Sequence, residues 1–217
     1  MLEIDDLTFG WRTILFRHVS ARLNPGDFIW LQGENGCGKT TLLQIMSGMI
    51  PHFSRGQVLE GDVRIENSSV LVNPPKTFFP RIAYLPCRNP EFYLFNETLE
   101  QEMHLIQAML PNMDISIRWS KIFRFFPVLE SLAQKIYHNM NPLEIRLVLM
   151  TVYYLQNAQL YFMDEVFTGL SYAQCDLWIQ FLMHLVQDGC AVVIATHEFF
   201  YKKALVWKIQ DQTLVIN

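Results

Sequence analysis

The chain has 217 residues, 51% of them hydrophobic, with 17 Lys and Arg against 21 Asp and Glu. This length builds one well-buried domain and is too short for two large ones, while a net charge of -4 leaves no broad basic face for a phosphate backbone, which argues against nucleic acid as a partner. The four cysteines, Cys37, Cys87, Cys175 and Cys190, show neither CxxC pairing nor zinc-ligand spacing and read as free thiols of a reducing compartment.

The first six residues are acidic and lack the positive start and apolar core of a secretory signal, so the chain is expected to stay in the cytosol. Its longest apolar run, residues 147–155, is interrupted by Thr151 and covers about half a bilayer span; any membrane-crossing part must come from another chain. Short apolar stretches separated by Gly10 and by Asn24-Pro25-Gly26-Asp27 predict a β-meander over the first thirty residues. Residues 28–31 read as a strand entering a glycine-rich loop, and the spacing of residues 41–46 predicts a helix beyond it. Residues 57–72 read as two short strands turning at Glu60-Gly61-Asp62, and Ile82–Leu85 as a strand ending at Pro86. From 96 to 155 the pattern is helical, with interruptions at Pro111-Asn112, near Pro127 and near Pro142. The continuous apolar runs 160–163 and 191–195 predict parallel strands covered on both faces, with a helix over Tyr172–Gln187 between them.

Gly33-Glu34-Asn35-Gly36-Cys37-Gly38-Lys39-Thr40 fits G-x-x-x-x-G-K-[ST] at every fixed position, between a predicted strand and a predicted helix. Glycines let successive backbone N–H groups turn inward around a β-phosphate, and the following helix adds the positive end of its dipole. Lys39 is placed to reach β- and γ-phosphates, and the Thr40 hydroxyl to ligate Mg²⁺, with Gly33, Asn35, Gly36, Cys37, Gly38 and Thr41 completing the nucleotide-binding set. Cys37 fills a free position of the loop.

Asp164-Glu165 follows the run 160–163, at the C-terminal end of a buried strand, where open parallel sheets form ligand sites. The first carboxylate is suited to holding magnesium and the second to orienting or deprotonating an attacking water; a plain helix cap after the strand is the alternative. His197 ends the next apolar run and becomes a candidate for contacting the γ-phosphate and that water.

The phosphate loop, the Asp-Glu pair and a His 32 residues beyond the Glu (197 - 165) resemble the ATPase domains of ABC transporters over nearly the whole chain. The resemblance implies an α/β P-loop NTPase core with a parallel sheet, an antiparallel β-subdomain and an inserted α-helical subdomain. On that pattern residues 1–30 and 56–72 form the β-lobe, 31–55, 73–87 and 156–217 the RecA-like core, and 88–155 the helical subdomain. It further implies ATP and Mg²⁺ as ligands and Trp11 stacking on adenine, although Trp11 could equally pack within the β-lobe. Met49-Ile50-Pro51-His52-Phe53 with Gly61-Asp62-Val63, and Asn89-Pro90-Glu91 with Leu94-Phe95-Asn96-Glu97-Thr98, are similar to the energy-coupling-factor group, which powers uptake of vitamins and of cobalt or nickel.

The family closes each ATP between the Walker A loop of one subunit and a Leu-Ser-Gly-Gly-Gln signature of the other. Here that signature reads Met140-Asn141-Pro142-Leu143-Glu144, which keeps a helix start but loses donors and adds bulk and negative charge. The loop Gln facing magnesium is replaced by Cys87 or Arg88, Val166 follows the catalytic Glu in place of Pro, and Ser171 replaces an Asp. A chain complete for its own ATP but damaged in what it offers a partner is expected to work in a heterodimer with a second ATPase chain, a homodimer being the alternative. An integral membrane transporter subunit is the expected further partner, received near residues 92–109, with the chain on the cytoplasmic face of the membrane. Rival readings are a soluble ABC ATPase that moves no solute and a regulatory subunit that binds ATP with little turnover. A small-molecule kinase would leave His197 unexplained.

Overall fold

The computed structural model describes residues 1–53, 57–197 and 204–216. β1 (Leu2–Gly10) and β2 (Ile14–Leu23) form an antiparallel hairpin, and β4 (Gln57–Ile65) pairs with the other edge of β1. With the two-residue β5 (Ser68–Ser69) they make a sheet in the order β2-β1-β4-β5. β3 (Phe28–Gln32) leaves this layer and joins a second sheet of β6 (Ile82–Leu85), β7 (Leu160–Asp164), β8 (Ala191–Ala195), β9 (Leu205–Gln210) and β10 (Thr213–Ile216). Its order is β10-β9-β3-β8-β7-β6, parallel throughout except for β10, which turns back antiparallel on β9.

The parallel sheet shows why its strands read as unbroken apolar runs. Successive side chains point to opposite faces, and both faces are covered: Trp30, Tyr161, Met163, Val192 and Ile194 enter one core cluster, while Ile29, Leu31, Phe162, Val193 and Ala195 enter the other. The first cluster is roofed by α3 (Leu99–Met109), α4 (Ile115–Phe125), the short α5 (Leu129–Leu132), α6 (Pro142–Leu155) and α7 (Tyr172–Gln187). The second holds α1 (Lys39–Met46), the short α2 (Met49–His52) and the antiparallel sheet. Trp30 and Phe162 are 0% exposed, and full burial of each such side chain contributes about 1.5–3 kcal/mol.

Three expectations are corrected in detail. The meander over the first thirty residues is only the β1–β2 hairpin, because β3 pairs with β8 and β9 rather than with β2; a lobe boundary at residue 30 cuts through β3. The boundary at 55/56 lies outside the described residues. Glu60-Gly61-Asp62 is not a turn but the middle of one long strand, β4, whose real turn comes after Ile65. Gly61 marks a bulge: its φ is +85, the pairing to β1 shifts register between Asp5 and Thr8, and a Cβ there would strike the carbonyl oxygens of Asp5 and Asp6. Among the described residues no helix is long and apolar enough to cross a membrane.

Candidate nucleotide site

Four parallel strands, β3, β6, β7 and β8, end at the same edge of the sheet, and each delivers part of the sequence-defined set. β3 runs into Gly33, β6 into Pro86 and Cys87, β7 ends at Asp164, and β8 leads to Thr196 and His197. β8 lies on one side of β3 and β9 on the other, the switch in strand order at which open α/β sheets leave a crevice. A cavity of about 590 Å³ opens there, lined by Trp11, Asn35, Gly36, Gly38, Lys39, Thr40, Thr41, Asp164, Glu165 and His197 among others. That volume lies within the range of small-molecule sites, about 300–1,000 Å³.

Gly38 can only be glycine. Its φ is +107, and an added Cβ would lie 2.6 Å from the Phe16 ring, itself fully buried under the hairpin. The loop therefore bends tightly onto the β-lobe and opens the first turn of α1 toward the cavity. No side chain caps that helix start, so its leading N–H groups are left for a ligand. Lys39 is 7% exposed, and its Nζ donates to the carbonyls of Gly33 at 2.8 Å and Glu34 at 3.1 Å, folded back along the loop.

Thr40 Oγ1 donates to Asp164 Oδ2 at 2.8 Å, joining α1 to β7. Burial raises the Asp164 pKa, against the lowering effects of the Thr40 hydroxyl and Lys39. Glu165 stands beside it with Oε1 at 3.2 Å from His197 Nε2. Burial also raises the Glu165 pKa, opposed first by His197. A nearly buried carboxylate and a partly buried one thus stand near a lysine already engaged by carbonyls. Trp11 is 43% exposed, lines the cavity and meets Phe9 at a perpendicular angle, with ring centroids 5.4 Å apart and an interplanar angle of 89°.

Gly33 and Cys37 sit differently from the rest. Both line a neighbouring cavity of about 720 Å³ that also touches His197 and Lys208, and the Cys37 sulfur lies against the Gly33 backbone. Cys87 and Arg88 both line the nucleotide cavity. Burial, and next the Asp164 charge, push the Cys87 thiol pKa up.

The start of α6, where a signature is expected, is closed. Asn141 Oδ1 accepts the N–H of Leu143 at 2.9 Å and of Glu144 at 3.0 Å, Pro142 has no N–H, and Asn141 N–H donates to Glu144 Oε2 at 2.8 Å. Lys135 Nζ completes the knot at 2.8 Å from Glu144 Oε2. The expected charge clash from Glu144 is therefore reduced: its carboxylate turns back into the cap. Lys135 first, then the Asn141 N–H, lower its pKa. Because the folded value is depressed, the stabilisation is complete above the ordinary value of 4.5 and is lost as pH falls through the folded value. Glu144→Gln is accordingly expected to lower the thermal midpoint at neutral pH and to converge with the parent in acid; a pH-independent difference would contradict this. Ser171 has a similar structural duty, capping α7 in a reciprocal pair with Gln174.

Sequence reasoning passed over Arg146. It is 5% exposed and its Nη1 donates to Val166 O at 2.8 Å and Thr168 O at 3.0 Å, on the turn that carries Glu165. The available signal was a lone charge inside the apolar run 145–150.

A family model described as "ABC transporter" matches residues 16–168, well over half of the chain. An ABC transporter ATP-binding protein of Treponema denticola is 27% identical over 206 residues, covering 92% of this chain and 38% of its own length. The chain thus spans well under half of that relative. Among solved structures, an ATP-binding subunit of an ABC transporter superposes with a TM-score of 0.81 at 20% identity, covering 99% of this chain and 88% of the other. CbiO1 of Clostridium perfringens, part of the ABC transporter complex CbiONQ, superposes with a TM-score of 0.78 at 18% identity, covering 99% and 86%. With the loop, the carboxylate pair and the sheet topology in agreement, this chain belongs to the ABC transporter family as an ATP-binding domain of the ABC ATPase fold.

Proposed function

We propose that this chain binds and hydrolyses MgATP to power a membrane transporter, and that it does so with a second, different ATPase chain. The observation that carries the proposal is the contrast between two helix starts: α1 is uncapped and opens into the cavity, whereas the donors at the start of α6 are absent or used internally. Nucleotide is held in cis by the amides of 33–41 and by Lys39, which releases the Gly33 and Glu34 carbonyls to meet phosphate oxygens. Trp11, which lines the cavity, stacks on the base.

The donor set fits magnesium: a hydroxyl hydrogen-bonded to a nearly buried carboxylate whose charge is under-compensated. Thr40 and Asp164 would hold the ion, which would supply positive charge to offset the negative charge of the phosphates. Glu165, with its raised pKa, accepts the proton of the attacking water, and His197 orients the carboxylate and contacts the γ-phosphate. The segments 49–53, 61–63, 89–91 and 94–98 support a reading as a member of the energy-coupling-factor group. Phe92 and Phe95, 79% and 81% exposed, offer an apolar surface for a segment of the membrane subunit at the cytoplasmic face.

The heterodimer is tested by rebuilding the trans element. Replacing Asn141-Pro142-Leu143-Glu144 by Ser-Gly-Gly-Gln restores an N–H at 142 and removes the bulk at 143 and the negative charge at 144, and the purified chain alone is expected to gain at least about tenfold in ATP turnover. Brisk turnover by the parent alone, with no gain on substitution, would contradict it. A regulatory role with little turnover is favoured by a second observation: Cys87 and Arg88, one of which stands where the family has an amide, both line the cavity. Single-turnover hydrolysis in the assembled complex separates the two.

A further inference from the structure

Arg146 is the one charged residue in 145–155 and is almost out of solvent. None of the ion pairs among the described residues includes it, and its Nε has no hydrogen-bond partner. Burying a cation without a counter-charge is costly, and its hydrogen bonds both go to one place, the carbonyls of Val166 and Thr168.

That place is constrained. Glu165 has φ +50, a left-handed conformation that non-glycine residues hold only when their surroundings impose it. Its N–H donates to Ala195 O at 2.8 Å and its carbonyl accepts from Thr168 N at 3.1 Å. The tight turn 165–168 is thus tied to β8 at its start and to the Arg146 guanidinium along its length. Neutral carbonyls satisfied by a planar fork make a stiff support, since one nitrogen fixes two acceptors.

We infer that Arg146 is the positioning residue of Glu165, holding the turn that aims this carboxylate at His197 and the phosphate end of the cavity. It also links the two ends of the domain's chemistry. Arg146 lies one turn into α6, whose start is the surface presented to a partner's nucleotide. Leu143 Cδ2 lies beside Gly169, just past that turn, 3.5 Å from where a Cβ would be. Movement of α6 on docking is transmitted to Glu165. The inference rests on the hydrolytic reading of Glu165.

The test uses Arg146→Met and Arg146→Lys in two settings: the tagged full chain recovered from solubilised membranes with its partners, and the isolated full chain. In the assembly, Arg146→Met is expected to lower turnover at saturating MgATP at least about tenfold with KM unchanged, the Lys variant recovering part of the loss. Combined with Glu165→Gln it should add nothing, since both act through one carboxylate. In the isolated chain, calorimetric MgATP affinity should stay the same while amide exchange across 165–170 accelerates by about tenfold and the rest of the sheet stays protected. Turnover within about twofold of the parent, a full further loss in the Glu165→Gln background, or unchanged exchange would each overturn the inference. Should the parent assembly itself fail to hydrolyse ATP, the hydrolytic reading falls instead, and the exchange comparison alone decides Arg146.

Discussion

Glu165→Gln is expected to slow ATP turnover by roughly 10³-fold, within the range of about 10²–10⁴ attached to a positioned general base. The substitution preserves volume and removes the acceptor charge. Glu165 is suited to the task because burial raises its pKa above that of an ordinary glutamate, which makes it a stronger base, while His197 3.2 Å away keeps the ionised form accessible. MgATP affinity should change little, because the carboxylate contributes no donor to the phosphates; removing one negative charge near them should, if anything, tighten binding. The effect belongs in kcat, measured in the assembled complex with the ATP affinity followed separately. A parallel loss of affinity, or undiminished turnover, would place the chemistry elsewhere.

Lys39→Ala is expected to weaken MgATP binding about 100-fold, roughly 3 kcal/mol, the worth of one or two charge-assisted hydrogen bonds. The ammonium donates to the Gly33 and Glu34 carbonyls, at 2.8 and 3.1 Å, and Lys39 is nearly buried. Exchanging those neutral acceptors for phosphate oxygens converts a holding contact into a binding one, so the alanine variant loses most in the bound state. Folding is expected to survive, since Gly38 and the Phe16 contact that shape the loop are untouched. Titration of the purified variant by calorimetry reads the change directly.

The phosphate loop, the carboxylate pair and His197 were legible in the sequence because each follows a strand whose two-sided burial writes an unbroken apolar run. The helix over Tyr172–Gln187 was legible to the residue, since Ser171 caps its start and Gly189 ends it. β4 was misread because glycine serves turns and bulges alike, and only its partner strand reveals that the backbone of Asp5 and Asp6 presses against Gly61. β3 was read correctly as the strand entering the loop, but the lobe boundary was set at residue 30, inside it, because its pairing with β8 and β9 depends on residues more than 150 positions away. Arg146 stayed hidden for a similar reason: its acceptors are carbonyls, which leave no mark on residue type. The damaged signature could be read from Pro142 and Leu143, but not that Glu144 is drawn into its own cap by Lys135 and Asn141.

The open start of α1 is the feature on which the rest depends, and MgATP calorimetry on the purified, folded, isolated chain tests it most directly. One nucleotide per chain is expected, retained when the start of α6 is substituted. A folded sample that takes up no MgATP at millimolar concentration, or whose binding follows α6 rather than the loop, would contradict the account.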